Sequence, residues 1–458
     1  MATAAKKSIA ILGAGITGLT AAHRLHTLGH GIRVFESSAR AGGVIRSERT
    51  GDWLVESGPN SLLSGEPAVD RLIRELALDS ALVTANPAAR KRYIVRRGQP
   101  LPIPLSPPAL LTSPFLSPFA KLAILREFLF RPRVRTTDLS LSDFISAHFN
   151  REIVDYALNP IVTGIYAGNP QKLSARHAFP KLWEAERRHG SLLRAQLAAG
   201  KSRRARGESL PSIFSFRDGL QTLPDTLAAG LPPASLTFNA QLDAIVPGDK
   251  WSVIWHDTAG THTQSFDAIV VALPAPALAQ LRIGALGERP LAGLASIEHP
   301  PLASLFLGFR RNQIAHPLDG FGLLVPAVEN RSILGVLFSS TLFPHRAPDD
   351  HVALTVLVGG TRQPELAALP PDQLLARIRP DLADLLDVTG EPVFQHHAFW
   401  PRAIPQYNLG HEQHLAAIAN LERTHRGLFL GGQARDGVSL PACIAAGESL
   451  ATRTSASS

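Results

Sequence analysis

The sequence predicts a mixed α/β and α+β protein on three observations: a glycine-punctuated strand-to-helix junction near the amino end, a helical middle, and alternating apolar runs joined by short turns between Leu302 and Gly360. The junction is Ser8-Ile9-Ala10-Ile11-Leu12-Gly13-Ala14-Gly15-Ile16-Thr17-Gly18-Leu19, a short apolar run that meets glycines in G-x-G-x-x-G spacing. That pattern predicts a dinucleotide site. Gly13 permits the tight turn out of the strand, Gly15 lets a pyrophosphate approach the backbone, and Gly18 lets the helix lie close against the sheet. Ala14, Ile16 and Thr17 complete the turn, and the helix N-terminus faces the phosphates. Ala21, Ala22, Leu25 and Leu28 continue an apolar helical face, Gly29 is placed to end it, and Ile32-Arg33-Val34-Phe35 restarts a strand that delivers Glu36. A carboxylate there accepts hydrogen bonds from a ribose diol and repels the extra phosphate of NADP, which leaves NAD and FAD.

Composition sets the outer bounds. The 458 residues are 45% hydrophobic and 18% charged, enough for two or three domains rather than one core. Residues 1–7 lack the apolar stretch of a signal peptide, and Thr452 to Ser458 is small and hydroxylic, so neither end is expected to be structural. Cys443 is the only cysteine, which excludes an internal disulfide framework and a thiolate zinc or iron–sulfur site, and no metal centre is expected. No run of eighteen apolar residues occurs, so a soluble or peripheral cytoplasmic protein is expected. Forty-six Lys and Arg against thirty-eight Asp and Glu give a formal charge of +8, but without zinc-finger spacing or an aromatic RNA-binding signature no nucleic-acid partner is expected.

After Glu36, Ser37-Ser38-Ala39-Arg40-Ala41-Gly42-Gly43-Val44-Ile45 supplies a second flexible, cationic turn, and this resembles the FAD signature of the amine oxidase superfamily. Glu56-Ser57-Gly58-Pro59-Asn60-Ser61 is similar to a loop that in those flavoproteins runs beside the isoalloxazine. Pro67 to Leu78 reads as an amphipathic helix and Ala89 to Gly98 as a basic strand and turn, while prolines between Pro100 and Pro118 mark an exit from the nucleotide domain. Phe119 to Phe130 places Phe119, Leu122, Ala123, Leu125, Phe128 and Leu129 among Lys121, Arg126, Arg131, Arg133 and Arg135. Two readings stand for it, a helix lying on a membrane and a helix buried against its neighbours.

Ser142 to Leu158 reads as a helix capped at Ser142, running into Asn159-Pro160-Ile161-Val162-Thr163-Gly164-Ile165-Tyr166-Ala167-Gly168-Asn169-Pro170. With Ala178 to Glu186 and Gly190-Ser191-Leu192, this block resembles the protoporphyrinogen oxidase family, which includes the bacterial coproporphyrinogen oxidases. Lys201-Ser202-Arg203-Arg204-Ala205-Arg206-Gly207 reads as an exposed loop. Phe216 to Pro224 opens a helix that returns to the nucleotide domain, and Ser235 to Leu242, Trp251 to His256 and Phe266 to Ala272 read as strands. Between Leu302 and Gly360 the short turns favour antiparallel pairing; a helix over Asp372 to Leu386 and a strand around Val393 to Trp400 complete this substrate sheet. It carries no second dinucleotide fingerprint, which argues against two-nucleotide flavin reductases. Trp400 to His411, Gly427 to Gly432 and Gly437 to Ile444 are similar to the family's carboxy-terminal flavin segments, and Ala445 to Ala451 starts a helix. Cys443, among apolar neighbours, reads as a buried structural thiol.

The resemblance implies a Rossmann-like FAD-binding domain of the glutathione reductase and amine oxidase type, an antiparallel-sheet substrate domain and an inserted helical domain. It divides the chain into FAD segments at 1–85, 211–285 and 401–458, substrate segments at 86–108 and 286–400, and the helical, membrane-compatible insert at 109–210. It implies non-covalent FAD held by Gly13, Ala14, Gly15, Ile16, Thr17, Gly18, Glu36, Ser37, Arg40, Gly42, Gly43, Val44, Gly58, Pro59, Asn60, Ser61, Leu242, Trp400, Gly432, Val438, Ser439 and Leu440. Leu242 matches a position that contacts adenine through its backbone and is equally compatible with a core leucine. Arg92 matches the arginine that holds a substrate propionate, and Gly164 a backbone position facing the pyrroles. The expected activity is oxidation of coproporphyrinogen III or protoporphyrinogen IX with dioxygen, with the flavin as the reactive group and no catalytic side chain or general base assigned. Another FAD-dependent amine oxidase or a polyene desaturase on the same scaffold is the alternative, and a homodimer is compatible with the sequence.

Overall fold

The strand Ser8–Leu12 is almost wholly buried because it lies at the centre of a parallel five-stranded sheet. Across that sheet the order is Leu236–Thr237, Gly31–Phe35, Ser8–Leu12, Ala268–Val271 and Leu428–Leu430, drawn from three distant stretches of the chain. In the computed structural model the described residues are 6–104, 112–130, 135–205 and 211–457. Pro107 and Pro108 of the proline-rich exit, Arg131 and Arg133 of the basic stretch, Arg206-Gly207 of the charge run, residues 1–5 and Ser458 lie outside them. Helix Ile16–Thr27 packs on one face of the sheet beside helix Leu440–Ala456, burying Leu19, Ala22 and Leu25 with Ile444 and Leu450. The other face packs on a four-stranded sheet in the order Gly260–Phe266, Trp251–Asp257, Gln241–Val246 and Arg282–Ile283.

A seven-stranded sheet forms the second layer system, ordered Phe394–Trp400, Leu302–Arg310, His351–Gly359, Gly335–Leu337, Gly320–Leu324, Lys91–Arg96 and Gln99–Pro102. Its pairs are antiparallel as the short turns require, with one difference: Gly320–Leu324 runs parallel to Lys91–Arg96. No hairpin links those two strands, so nothing local fixes their relative direction. Helix Pro371–Leu386 covers one face with Leu374, Ile378, Leu382 and Leu385.

Five local readings are corrected. The carboxy-terminal tail is structural through Ala456, the end of helix Leu440–Ala456, where Thr454 is buried and its carbonyl accepts from Lys7. The stretch Ser235 to Leu242 is two strands in two sheets, because Asn239 adopts a left-handed conformation (φ 54°) and turns the chain between Leu236–Thr237 and Gln241–Val246. Helix Leu141–His148 is capped by Ser140, whose Oγ accepts from the Asp143 N–H, rather than by Ser142, which lies buried inside the first turn. It also does not continue to Leu158: Asn150 caps a new start, Arg151–Ile153, followed by the π-turn Val154–Leu158 and helix Asn159–Tyr166. Pro160 removes the N–H that would bond the Tyr156 carbonyl, and the widened turn lies just before it. Finally, the charge run is helical through Ala205, as part of Leu192–Ala205, where Ala, Leu, Lys and Arg all favour a helix.

Candidate active site

At the amino-terminal turn each glycine meets a different constraint. Gly13 has φ +102°, and a Cβ there would lie 2.9 Å from the Ala272 carbonyl oxygen. A Cβ on Gly18 would lie 1.9 Å from the Gly13 oxygen, so only glycine permits this helix-to-strand approach. Around Gly15 there is open space within 4 Å. Gly15 is also the N-cap of Ile16–Thr27, with no side chain capping the helix and no acidic residue in its first turn. Those N–H groups are therefore left for an external anion. Glu36 stands beside them: its Oε2 accepts from the Ala14 N–H at 2.8 Å and its Oε1 from the Ser38 N–H and Oγ at 2.9 and 2.8 Å, with Ser37 Oγ at 3.4 Å. An uncapped helix start, a surface free of Cβ and an adjoining carboxylate fit the adenosine diphosphate half of a dinucleotide. Leu242 is brought to the same end, two residues after Ala240, whose N–H donates to the Glu36 carbonyl, and its side chain packs on the core of Phe35 and Trp255.

The second turn docks on the first through the Gly42 N–H, which donates to the Ala14 carbonyl at 2.8 Å. Gly43, at φ +59°, comes against the Gly15 Cα. Arg40 is committed locally: its guanidinium donates to the carbonyls of Ala41, Gly43 and Ile45 and to Gln221 Oε1. Val44 is left 41% exposed, an unusual position for valine beside a buried turn, and a Cβ on Gly58 would lie 2.0 Å from its carbonyl oxygen. The Gly58, Pro59, Asn60 and Ser61 loop thus abuts the second turn, and Trp400 closes over it, with Nε1 donating to the Ser57 carbonyl at 2.8 Å.

From the carboxy end, Gly432 adopts φ +109° close to the Thr17 side chain, and its N–H donates to Asp436 at 2.7 Å. Burial pushes the Asp436 carboxyl up, opposed by that same hydrogen bond. Thr17 Oγ1 donates to the Cys443 carbonyl, which ties the two facing helices together. Ser439 caps helix Leu440–Ala456 through its Oγ, Leu440 is buried in the flavin-side core, and Val438 packs on the helical layer. Cys443 is 2% exposed, and burial raises its thiol to about 11, so it is inert at neutral pH.

On the substrate side, Ile161, Gly164 and Ile165 form one exposed face of helix Asn159–Tyr166, an i, i+3, i+4 pattern that places two large apolar side chains and a bare backbone toward open space. Gly164 meets the Leu324 side chain, which its absent Cβ would approach to 3.3 Å. Leu324 is in register with Ile94, and both pack in the helical layer, whereas Tyr93 and Val95 point to the opposite core. Arg92 is two residues from Ile94 and so shares its face, about 7 Å along the strand. The structure therefore brings Arg92 and Gly164 to the same side of the sheet. Arg92 is exposed, lies 5.5 Å over the Phe321 ring, and has no carboxylate partner among the described residues.

Helix Pro118–Glu127 turns its apolar face outward: Phe119, Leu122 and Leu125, with Leu129 just beyond, are 81%, 63%, 58% and 79% exposed, while Ala120, Ala123 and Glu127 face inward. Glu127 is fully buried, accepting from Ser191 Oγ and the Leu192 N–H. No helix among the described residues is long and apolar enough to cross a membrane.

Three residues that position the site escaped sequence reasoning. Arg346, 1% exposed, donates to the Asn60 carbonyl at 2.7 Å, to Ser215 Oγ and to Glu56 at 3.2 Å, fixing the Gly58 to Ser61 loop from beneath. Burial pushes the Glu56 carboxyl up and draws the Arg346 guanidinium down to about 10, each charge opposing the other's shift. Tyr407 bridges the carboxy-terminal loop, donating to the Gln433 carbonyl and accepting from the Gly437 N–H. Their contacts span large sequence separations and follow no local spacing.

Residues 16–454 match the model of the family described as flavin containing amine oxidoreductase. Protoporphyrinogen oxidase 2, chloroplastic/mitochondrial, of Arabidopsis thaliana is 34% identical to the chain, over 96% of the chain and 92% of that protein. Coproporphyrinogen III oxidase of Staphylococcus aureus is 26% identical, over 96% and 97%. Among solved structures, a protein from Exiguobacterium sp. 255-15 shares the fold with a TM-score of 0.82 at 24% identity, covering 99% of each chain.

Proposed function

The chain belongs to the flavin-containing amine oxidoreductases and, within them, to the protoporphyrinogen oxidase family; from that premise we propose that it is an FAD-dependent porphyrinogen oxidase of haem biosynthesis. Its substrate is coproporphyrinogen III or protoporphyrinogen IX, converted to the porphyrin by a six-electron oxidation in three two-electron steps, each passing its electrons to dioxygen. The observation that carries this reading is an exposed guanidinium, Arg92, on the same side of the sheet as the apolar face of Ile161, Gly164 and Ile165. A flat, carboxylate-bearing macrocycle suits that pairing, whereas a cationic amine gains nothing from Arg92.

FAD, when bound, supplies the acceptance of two electrons and a proton from a porphyrinogen methylene. The residues of the chain hold and orient. The Gly13 to Gly18 turn and the uncapped helix start receive the pyrophosphate, Glu36 the ribose, and the Gly42–Val44 and Gly58–Ser61 turns with Trp400, Gly432 and Val438 to Leu440 surround the flavin, without a covalent tether. Arg92 anchors a propionate, and the helix face lies against the macrocycle, so the gain is orientation of a substrate already driven toward aromaticity. The three flavin segments, two substrate segments and the helical insert at 109–210 are the corresponding domains. The outward face of Phe119, Leu122, Leu125 and Leu129, beside Lys121 and Arg126, rests on a lipid surface as a peripheral contact.

Purified protein incubated with FAD is expected to show a flavin spectrum and to release the flavin intact on denaturation. Supplied with each porphyrinogen and oxygen, it is expected to raise porphyrin fluorescence far above spontaneous oxidation for at least one of them. Folded protein that stays colourless after incubation with FAD contradicts the cofactor. Flavin-loaded protein inactive on both porphyrinogens but active on an amine or a polyene contradicts the substrate.

A further inference from the structure

Three ligand-bearing side chains from different parts of the chain converge at one place. Asp138 lies two residues before Ser140, the N-cap of helix Leu141–His148, His177 lies in the short helix Ala175–Ala178, and Glu412 is in the first turn of helix His411–Thr424. One ligand atom from each lies within 4.8 Å of the other two, and His177 Nε2 stands 3.7 Å from Glu412 Oε2. We propose that Asp138, His177 and Glu412 bind a divalent transition-metal cation of the zinc class, joining the helical insert to the carboxy-terminal segment.

The chemistry of the donors supports this. His177 is only 14% exposed at its side chain, and its Nε2 is sealed from solvent with no hydrogen-bond partner. A buried imidazole nitrogen left without a partner is costly, so a ligand at this atom recovers what the fold forgoes. One imidazole without a partner beside two carboxylates forms a donor set for zinc rather than magnesium, which prefers oxygen alone.

Asp138 is already oriented as a ligand would need. Its Oδ2 accepts from Ser174 Oγ at 2.5 Å, and its Oδ1 from the N–H groups of Leu139 and Arg176. Oδ2, with a single accepted bond, keeps a lone pair for a metal. Ser174 is fully buried and also caps the helix that carries His177, so one hydroxyl fixes two of the three ligands. Ligands at 2.0–2.2 Å from zinc stand about 3.4 Å apart in a tetrahedron, so the set has to close by roughly 1 Å. The Glu412 side chain is 53% exposed and free to swing that far. Arg176, the cation in electrostatic reach of His177, is exposed and can turn away. Three protein ligands leave a fourth position for water.

The contact matters because of what it joins. The same junction is held by the Ser174 N–H donating to the Tyr407 carbonyl and by the Leu409 N–H donating to the Lys172 carbonyl, a backbone zipper between the insert and the segment that leads to the flavin loops. A metal ion here fastens that zipper at its surface end.

The test is titration of the flavin-loaded, chelator-treated full chain with Zn²⁺, read by calorimetry together with the thermal midpoint. One zinc per chain is expected, with a midpoint that rises on adding zinc. Glu412→Gln, at an exposed position, is expected to keep its flavin and fold while losing at least tenfold in zinc affinity and most of the zinc-dependent rise. His177→Ala is expected to lose the site. His256→Ala, at the exposed pair with Asp243, serves as control and is expected to leave the stoichiometry at one. Absence of stoichiometric zinc, unchanged affinity in Glu412→Gln, or tighter binding of Mg²⁺ than of Zn²⁺ would each overturn the proposal.

Discussion

Glu36 and Arg92 are both charged residues of the proposed site, yet their substitution is expected to have opposite signatures. On the proposed reading Glu36 holds the ribose; its carboxylate is oriented by Ala14 and Ser38. Glu36→Ala is expected to weaken FAD retention by roughly tenfold or more, the loss of a charge-assisted hydrogen bond, while turnover in the loaded fraction stays near normal. Flavin titration and turnover per bound flavin separate the two effects, and unchanged affinity contradicts a ribose contact. Arg92→Ala is expected to raise KM about tenfold, some 1.4 kcal/mol, with a smaller effect on kcat, and Arg92→Lys to recover only part because the planar fork is lost. Steady-state kinetics with whichever porphyrinogen is oxidised decides it; indifference to Arg92→Ala removes the residue from the site. The turn geometry at Gly13 and Gly18 was legible in the sequence because a strand, a turn and a helix within eleven residues fix it. The Glu56–Arg346 pair was not, since 290 residues separate its members and nothing in the loop motif that Glu56 opens points to Arg346.

At the scale of elements, the loop over Arg346 and the helix Pro118–Glu127 show two kinds of constraint. Removing one member of a buried ion pair leaves the other charge without compensation, so Arg346→Met is expected to destabilise the fold by about 3–5 kcal/mol and to loosen flavin binding with it. The double variant Arg346→Met, Glu56→Gln is expected to lose less than the sum of the single changes, as urea unfolding and flavin retention would register; strict additivity contradicts the coupling. The helix behaves otherwise because its large side chains are outside. Phe119→Ser with Leu129→Ser is expected to change stability by no more than about 1 kcal/mol while lowering sedimentation with anionic vesicles severalfold. Vesicle binding that is absent from the unsubstituted protein or unaffected by the changes contradicts the lipid contact. Periodicity detected this helix but left its orientation open, because apolar residues occur on both its faces and the inward side is built from Ala120, Ala123 and a buried glutamate. Capping likewise misled by two residues: Ser140 and Ser142 are chemically equivalent, and only the Asp143 N–H distinguishes them.

The whole molecule is organised by joins that no local pattern announces. Class and layer content were legible because apolar periods of two and 3.6 residues recur along the chain. The parallel pairing of Lys91–Arg96 with Gly320–Leu324, which places Arg92 on the side of Gly164, was not legible, since it links strands with no turn between them. The bond from Gln406 Nε2 to the Tyr166 carbonyl, which sets the carboxy-terminal segment against the substrate helix, spans 240 residues. These joins bring helix Asn159–Tyr166 and the mixed sheet together on the side of Arg92 and Gly164, where the proposed function puts a porphyrinogen. Anaerobic mixing of the FAD-loaded protein with coproporphyrinogen III or protoporphyrinogen IX, followed by flavin absorbance in a stopped-flow instrument, tests it most directly. Rapid bleaching of the oxidised flavin band by at least one porphyrinogen, at a rate that saturates with its concentration and matches aerobic turnover or exceeds it, is the predicted result. A flavin that stays oxidised in the presence of both, yet bleaches with an amine, contradicts the account.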